Sequence, residues 1–363
     1  MRGTDHQQSH VFSYLSPESR VRKDHPLRAM RTMVDEVLSR LSPQFDRMYA
    51  SEGRPSIAPE KLLRAQVLQM LYSIRSERLL MEEIDYSILF RWFVGLNLDE
   101  EVWDATVFTK NRDRLLEAEV AKLFLAEVVE QAREKGFTSD EHFTVDGTLL
   151  EAWAGAKSFQ RKDGKNPPSS DDDPSNPTVN FHGEKRSNRT HESKTDPEAQ
   201  LARKSEGKEA KLSYSGNLLV ENRNGLIVNA MVWEANGTAE RDTALVMLEQ
   251  IPGQRRLTVG GDKGFDTADF VAECRHLQVT PHVAQNHKRS GGSAIDERTT
   301  RHEGYGVSQR KRKRIEECFG WLKTIALLRK VRHRGLFKVD WVFTFACATY
   351  NLVRLRNLSL QAA

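Results

Sequence analysis

The nine residues His142-Phe-Thr-Val-Asp-Gly-Thr-Leu-Leu150 decide how the chain is read. They form a short β-favouring run with one acid, Asp146, in the middle. A carboxylate inside an apolar strand must be paired, hydrogen-bonded or bound to metal, because burying it alone is costly. Two readings stand side by side at this position: a hydrogen-bonded structural aspartate, or one that carries chemistry.

Upstream of this strand, residues 59–135 carry helical periodicity. Pro59-Glu-Lys-Leu-Leu-Arg-Ala-Gln-Val-Leu-Gln-Met-Leu71 opens on a proline and spaces its leucines at helical intervals. Leu79 to Val94 is a second run, ending at Gly95, and Thr106–Leu116 and Glu119–Glu134 add helices with charged outer faces. Downstream, a polar insert runs from about Phe159 to Ala210 and holds Pro167-Pro-Ser-Ser-Asp-Asp-Asp173. It has too little apolar content to fold alone and is expected to be loop or partly disordered.

Lys211–Glu221 and Leu226–Glu234 then read as strands around Asn222-Arg-Asn-Gly225, a good hairpin turn. Ala239–Gln250 reads as helix, Arg256–Gly261 as strand, Thr267–Leu277 as helix and Val279–Val283 as strand. A Gly-Ser-Arg-rich loop leads to a helix containing RKRKR (310–314), and an amphipathic helix over about Val339–Leu355 closes the chain. Three early strands followed by alternating strand and helix describe an α/β fold, a mixed sheet covered by helices. It is the order of an RNase H-like core with an insert after its first strand. The expected domains are a helical N-terminal one over 1–136, a mixed one over 137–338 with the insert at about 159–210, and a C-terminal helix over 339–363 packed on the second.

At 363 residues the chain carries a net charge of only +4, but its C-terminal third holds both RKRKR and Arg329-Lys-Val-Arg-His-Arg334. Such clusters favour phosphate-rich partners or are simply solvated faces. Cys274, Cys318 and Cys347 are far apart with no CxxC, so neither a zinc site nor a disulfide framework is indicated. The start, MRGTDHQQSH, lacks an apolar signal core, and no run approaches a membrane span; a soluble, cytoplasmic protein is expected.

Two further acids stand out. Asp262 ends Leu-Thr-Val-Gly-Gly-Asp, at the carboxyl end of a strand, where α/β sheets place ligands. Asp266, next to Thr267, reads as a helix N-cap. In RKRKRIEECFGWLK (310–323), two glutamates follow five cations. On a helical wheel at about 100° per residue, Ile315, Phe319, Leu322 and Ala326 form one apolar stripe. Glu316, Arg312 and Lys323 border it, while Glu317 falls opposite with Arg310, Lys313 and Arg314. Glu316 is therefore the candidate ligand and Glu317 a surface charge. Asp146, Asp262 and Glu316 together are hard oxygen donors suited to two Mg²⁺ or Mn²⁺ ions, which can drive phosphodiester chemistry. Arg312 and Lys323, with Arg310, Lys313 and Arg314, are the candidate contacts to nucleic-acid phosphates.

These residues resemble bacterial insertion-sequence transposases of the DDE type. The resemblance rests on Phe143-Thr-Val-Asp-Gly-Thr-Leu-Leu-Glu-Ala-Trp153 and Gly261-Asp-Lys-Gly-Phe-Asp-Thr267. Arg54-Pro-Ser-Ile-Ala-Pro-Glu-Lys-Leu-Leu63, Arg75-Ser-Glu-Arg-Leu-Leu-Met-Glu82 and Leu89-Phe-Arg-Trp-Phe-Val-Gly-Leu96 look like the helical N-terminal region of that family. Within it, one subgroup spaces Tyr, two residues, Arg, three residues, Glu, six residues, Lys. Arg312, Glu316 and Lys323 match that spacing, but Gln309 stands at the tyrosine position. The resemblance implies a divalent-metal DNA transposase that binds the terminal inverted repeats of its element as double-stranded DNA. It implies release of 3′-OH ends, their joining to target DNA, and a homodimer in the DNA complex. The alternatives are a metal-dependent nuclease on the same fold and an inactive DNA-binding derivative.

Arg54-Pro55 reads as a hinge or DNA-touching loop. Trp153 and Trp321 are candidates for base stacking or for packing. Tyr214, Glu221-Asn-Arg223 and His182-Gly-Glu-Lys-Arg186 fit family-like stretches but suit turn and surface roles, and His282 and His287 read as structural.

Overall fold

The structure is a computed structural model that describes residues 16–49, 52, 56–164, 180–181, 184–204, 207–253 and 256–362. Arg54-Pro55, Pro167–Asp173 and His182-Gly183 lie outside the described residues.

The helical region begins well before residue 59. After a short turn, α1 (Pro17–Arg20), comes α2 (Pro26–Met48), started by a proline and capped by His25, whose Nδ1 accepts from the Leu27 amide at 3.2 Å. It buries Leu27, Met30, Met33, Val34, Val37, Leu38, Leu41 and Phe45, one continuous apolar stripe. Next come α3 (Pro59–Leu71), α4 (Glu77–Tyr86), α5 (Ile88–Val94), α6 (Ala105–Glu117) and α7 (Val120–Glu134). The run expected as one helix over 79–94 is two, because the Ser87 hydroxyl accepts from the Phe90 amide at 3.3 Å and restarts the chain.

β1 (His142–Glu151) leads into the insert, whose described residues are more ordered than its composition suggests. β2 (Phe159–Arg161), β3 (Asn180–Phe181), β4 (Glu184–Lys185), β5 (His191–Ser193) and β6 (Gln200–Ala202) follow. β2 pairs with β5, and β6 joins the main sheet beside residues 211–213. For these described segments the expectation of loop or partial disorder is corrected because the sheet supplies partners: the Tyr214 hydroxyl donates to Asp196 at 2.5 Å and anchors the returning chain.

β7 (Lys211–Glu221) and β8 (Ile227–Glu234) form the expected hairpin, and α8 (Ala239–Glu249), β9 (Leu257–Gly261), α9 (Ala268–His276) and β10 (Val279–Val283) alternate after it. The five main strands stand in the order β8-β7-β1-β9-β10. β1, β7 and β8 are antiparallel, while β9 and β10 run parallel to β1. This is the mixed sheet of an RNase H-like fold, as the order of elements predicted.

The RKRKR segment is not one helix. After α10 (Glu297–Thr300) and α11 (Glu303–Lys311), residues 312–314 tighten into a 3₁₀ turn before α12 (Ile315–Thr324). The last helix, α13 (Leu336–Ala362), is longer than expected and is not amphipathic: Trp341–Leu352 are buried all round. It lies between α7 and the sheet, with Phe345 against Phe124 at 5.1 Å and Asn351 bonded to both amide and carbonyl of Ile227. One core thus runs from the N-terminal helices through α13 to one sheet face, and a smaller core under α8 and α9 covers the other. Among the described residues no helix is long and apolar enough to cross a membrane. The three cysteines are free and buried.

The hairpin turn is organised by a fully buried carboxylate. Glu221 accepts from the amides of Arg223 at 2.9 Å, Asn224 at 2.7 Å and Leu226 at 3.2 Å, and Gly225 takes the left-handed conformation (φ 73°). Glu221→Ala would leave these donors unpaired, and urea unfolding is expected to show a loss of about 2–4 kcal/mol. A loss under about 1 kcal/mol would contradict that role.

Candidate active site

The register of β1 and β9 sets up the site. Thr144 lies opposite Gly260, and the parallel pairing brings Asp146, two residues further along β1, within reach of the charge of Asp262 just past the end of β9. Both are half-buried. Each holds an amide of its own turn: Gly147 donates to Asp146 at 2.8 Å, and Gly264 donates to Asp262 at 2.7 Å. Asp266 takes no part. It is fully buried and accepts from the amides of Asn286 at 2.6 Å and Ala294 at 2.9 Å, stapling the loop after β10. Nor is it the helix cap; Thr267 is, accepting from Phe270 at 3.2 Å.

Asp146, Asp262 and Glu316 line one cleft of about 920 Å³, and Glu317 does not. The apolar stripe explains the choice: Ile315, Phe319, Leu322 and Ala326 are all buried, which turns Glu316 toward the cleft. Lys323 lies on the same wall, and its Nζ donates to Thr148 Oγ1 at 2.5 Å. Arg203, Lys204, Arg241 and Arg329 complete the cationic lining.

A fourth acid in the cleft, Glu240, was not singled out by sequence reasoning. Asn236 sets it there by bonding the amides of Thr238 at 2.9 Å and Ala239 at 2.6 Å, which starts α8. A Cβ on Gly147 would come within 2.5 Å of Glu240 Cγ, so only glycine next to Asp146 leaves room for it. An acid in the first turn of a helix is ordinary dipole chemistry, so the sequence held no signal to set Glu240 apart.

The acids press on one another. Burial pushes the Asp146 carboxyl up to about 7, against the pull of the Gly147 amide; Asp262 and Glu240 raise it further and Arg312 opposes them. Glu240 is solvent-accessible through the cleft, yet the protein atoms crowding it, then Asp262, also raise its pKa. Among the described residues no three His, Cys, Asp or Glu side chains lie close enough together to hold an ion, so ion binding requires side-chain rotation from at least one wall.

The other candidates are dispersed. Arg312 sits in the 3₁₀ turn outside the cleft lining, with its Nε donating to Gln309 Oε1 at 3.0 Å; Gln309 in turn donates to the His282 carbonyl at 2.6 Å. Gln309, where the resembling subgroup has tyrosine, thus ties Arg312 to the end of β10. Arg314 donates to the Arg223 carbonyl at 2.7 Å on the hairpin, and Arg310 and Lys313 are exposed away from the cleft. Trp153 is exposed, whereas Trp321 packs edge-on to Tyr350 at 5.7 Å. His282 is buried, and Ser308 Oγ bridges it to His142 at 2.6 and 2.8 Å.

A family model described as "Transposase DDE domain" matches residues 178–352, and another, "Transposase domain (DUF772)", matches residues 15–114. The chain belongs to the DDE-type transposases. Asp262 and Glu316 fall inside the first match, and Asp146 precedes it. No curated protein matches this transposase. Its fold is similar to the piggyBac transposase synaptic complex with hairpin DNA at 11% identity and a TM-score of 0.41, over 93% of this chain and 76% of that one. The Mos1 strand transfer complex is similar at 9% identity and a TM-score of 0.20, over 94% and 92% of the two chains. At these values membership rests on the two family models.

The raised Asp146 carboxyl predicts a pH dependence. Its folded pKa lies above the unfolded one, so its contribution to stability is fully present below about pH 4 and is lost as pH rises through about 7. In chelator at pH 8, Asp146→Asn should melt above the wild type, by no more than about 4 kcal/mol of stability, with the gap closing by about pH 4. A variant less stable at every pH would contradict the account.

Proposed function

We propose that this transposase cuts DNA at the terminal inverted repeats of its element and joins the freed 3′ ends to target DNA, with Asp146, Asp262 and Glu316 as metal ligands. What carries this reading is the convergence of three acids, from two strands and a distant helix, on one cleft whose other charged walls are mostly cationic.

The donor set fits Mg²⁺ or Mn²⁺. Carboxylate oxygens are hard ligands, among the described residues no thiol or imidazole lines the cleft, and the repulsion between Asp146 and its acidic neighbours is what a cation relieves. Two bound ions would activate the attacking oxygen and stabilise the leaving one. The chain's own cations do the rest. Lys204, Lys323 and Arg329 hold the phosphates of the scissile strand, and the bond that Lys323 donates to Thr148 fixes that lysine in place.

In the first step a water oxygen bonds to phosphorus, the P–O3′ bond breaks, and the 3′ oxygen takes up a proton. In the second, that hydroxyl attacks a target phosphodiester and displaces the target's own 3′ oxygen. Phosphodiester bonds are conserved in the joining step, so it needs no energy-carrying cofactor and no covalent enzyme intermediate. Recognition of the repeats and pairing of two copies fall to the N-terminal helices over 1–136.

The test is cleavage of a duplex carrying the inverted repeat that flanks the coding region, in Mg²⁺. Glu316→Gln should lower nicking by more than about a hundredfold, while Glu317→Gln keeps most of it. The reverse result would overturn the assignment, and indiscriminate cutting of any duplex without joining would point to a nuclease.

A further inference from the structure

A second cavity, of about 360 Å³, lies where the N-terminal helices meet the chain after α12. Its walls are the segments 69–77 and 326–333. Each wall carries a non-glycine residue in the left-handed conformation, Ser73 (φ 53°) and Leu327 (φ 59°). Such positions cost on the order of 1–2 kcal/mol each and persist only where the surroundings enforce them. Here the Ser73 hydroxyl donates to the Ile325 carbonyl at 2.7 Å and ties one wall to the other.

What this frame brings together is positive charge. Arg112 is buried against Glu77, and Lys330 pairs with Glu151 at 3.0 Å. Arg75 and Arg332 also line the cavity, and among the described residues neither has an ion pair or hydrogen bond. Burial and then the nearby charge of Arg75 depress the pKa of Arg332, so the two cations are near enough to repel, while the acid of the same lining, Glu77, is paired with Arg112. Ser76, the cap of α4, stands beside them.

One short stretch of chain contributes to the walls of both this cavity and the active-site cleft. Residues 329–331 run alongside the end of β1, with Glu151 donating to the Arg329 carbonyl at 3.1 Å and Val331 donating to the Glu151 carbonyl at 2.8 Å. Along this short strand Arg329 lines the cleft while Lys330 and Arg332 line the second cavity. From Asp146 to Glu151 is roughly 17 Å of strand.

We propose that this cavity is a phosphate clamp, in which Arg75 and Arg332 together grip one backbone phosphate of the DNA to the side of the bond being cut. Guanidinium forks suit phosphate oxygens, and a bound dianion or diester removes the repulsion between the two cations. The contact is made by one residue from the helical region and one from the catalytic region, so DNA bound there links the two. The proposal rests on the transposase reading for the source of the phosphate, but its test does not need cleavage.

The full-length protein, the Arg75→Gln and Arg332→Gln variants, and the double variant are titrated with a random duplex of about 30 base pairs at several salt concentrations. Thermal melting is followed with and without inorganic phosphate. The clamp predicts that the double variant binds several-fold more weakly and that its salt slope falls by about 1, with the melting temperature unchanged or raised. Arg332→Lys should keep the slope. An unchanged slope in the double variant overturns the proposal, even if the wild type cuts the repeat duplex. Stabilisation by inorganic phosphate that the double variant loses, with DNA binding intact, overturns it in favour of a free-anion site.

Discussion

Asp146 in β1 and Asp262 just past β9 are brought near one another by the parallel pairing of two central strands, and the rest of the site is arranged around their repulsion. Burial lifts the Asp146 carboxyl, and the charge of Asp262 just past the next strand lifts it further. The chain offsets this only in part, with the amides of Gly147 and Gly264 and the charge of Arg312. The remaining imbalance favours a divalent cation. A site of this kind works against folding, so it has to be carried by a frame with stability to spare.

That frame is built from buried polar groups satisfied by backbone as much as from apolar packing. Glu221 fixes the β7–β8 hairpin, Asp266 fixes the loop after β10, and Ser308 joins His142 at the start of β1 to His282 in β10. Burial holds both histidines below their ordinary pKa, His282 at about 4, which keeps the Ser308 bridge uncharged at neutral pH. α13 does for the domains what these residues do for the sheet. Its all-round burial means that the helical region cannot separate from the catalytic sheet without exposing Phe345, Trp341 and Leu352. DNA held by both regions therefore meets one continuous body.

Much of this is legible in the residues, for physical reasons. The strand order could be read because Asn222–Gly225 is a turn whatever surrounds it and because the strands and helices after it keep their own periodicities. Glu316 could be told from Glu317 because the buried stripe beside it is a local property of the helix. What escaped depends on partners distant in sequence. Pro43 inside α2 looks like a stop, but the packing of eight apolar side chains overrides it. Strand β6 exists only because β7 offers an edge, and α13 reads as amphipathic until both of its neighbours are in place. The role of Gln309 depends on the His282 carbonyl, which its side chain reaches across the fold. Glu240 is an unremarked first-turn acid until the register of β1 brings Gly147 beneath it.

The central claim is that one ion-binding centre is shared by segments far apart in sequence, and local cleavage of the polypeptide by Fe²⁺ and ascorbate tests it most directly. Iron in place of the resident ion cuts the backbone that surrounds it. The account predicts cuts clustered near residues 146, 262 and 316, suppressed by excess Mg²⁺ and lost together in Asp262→Asn. Cuts elsewhere in the chain, or a pattern unchanged in that variant, would contradict it.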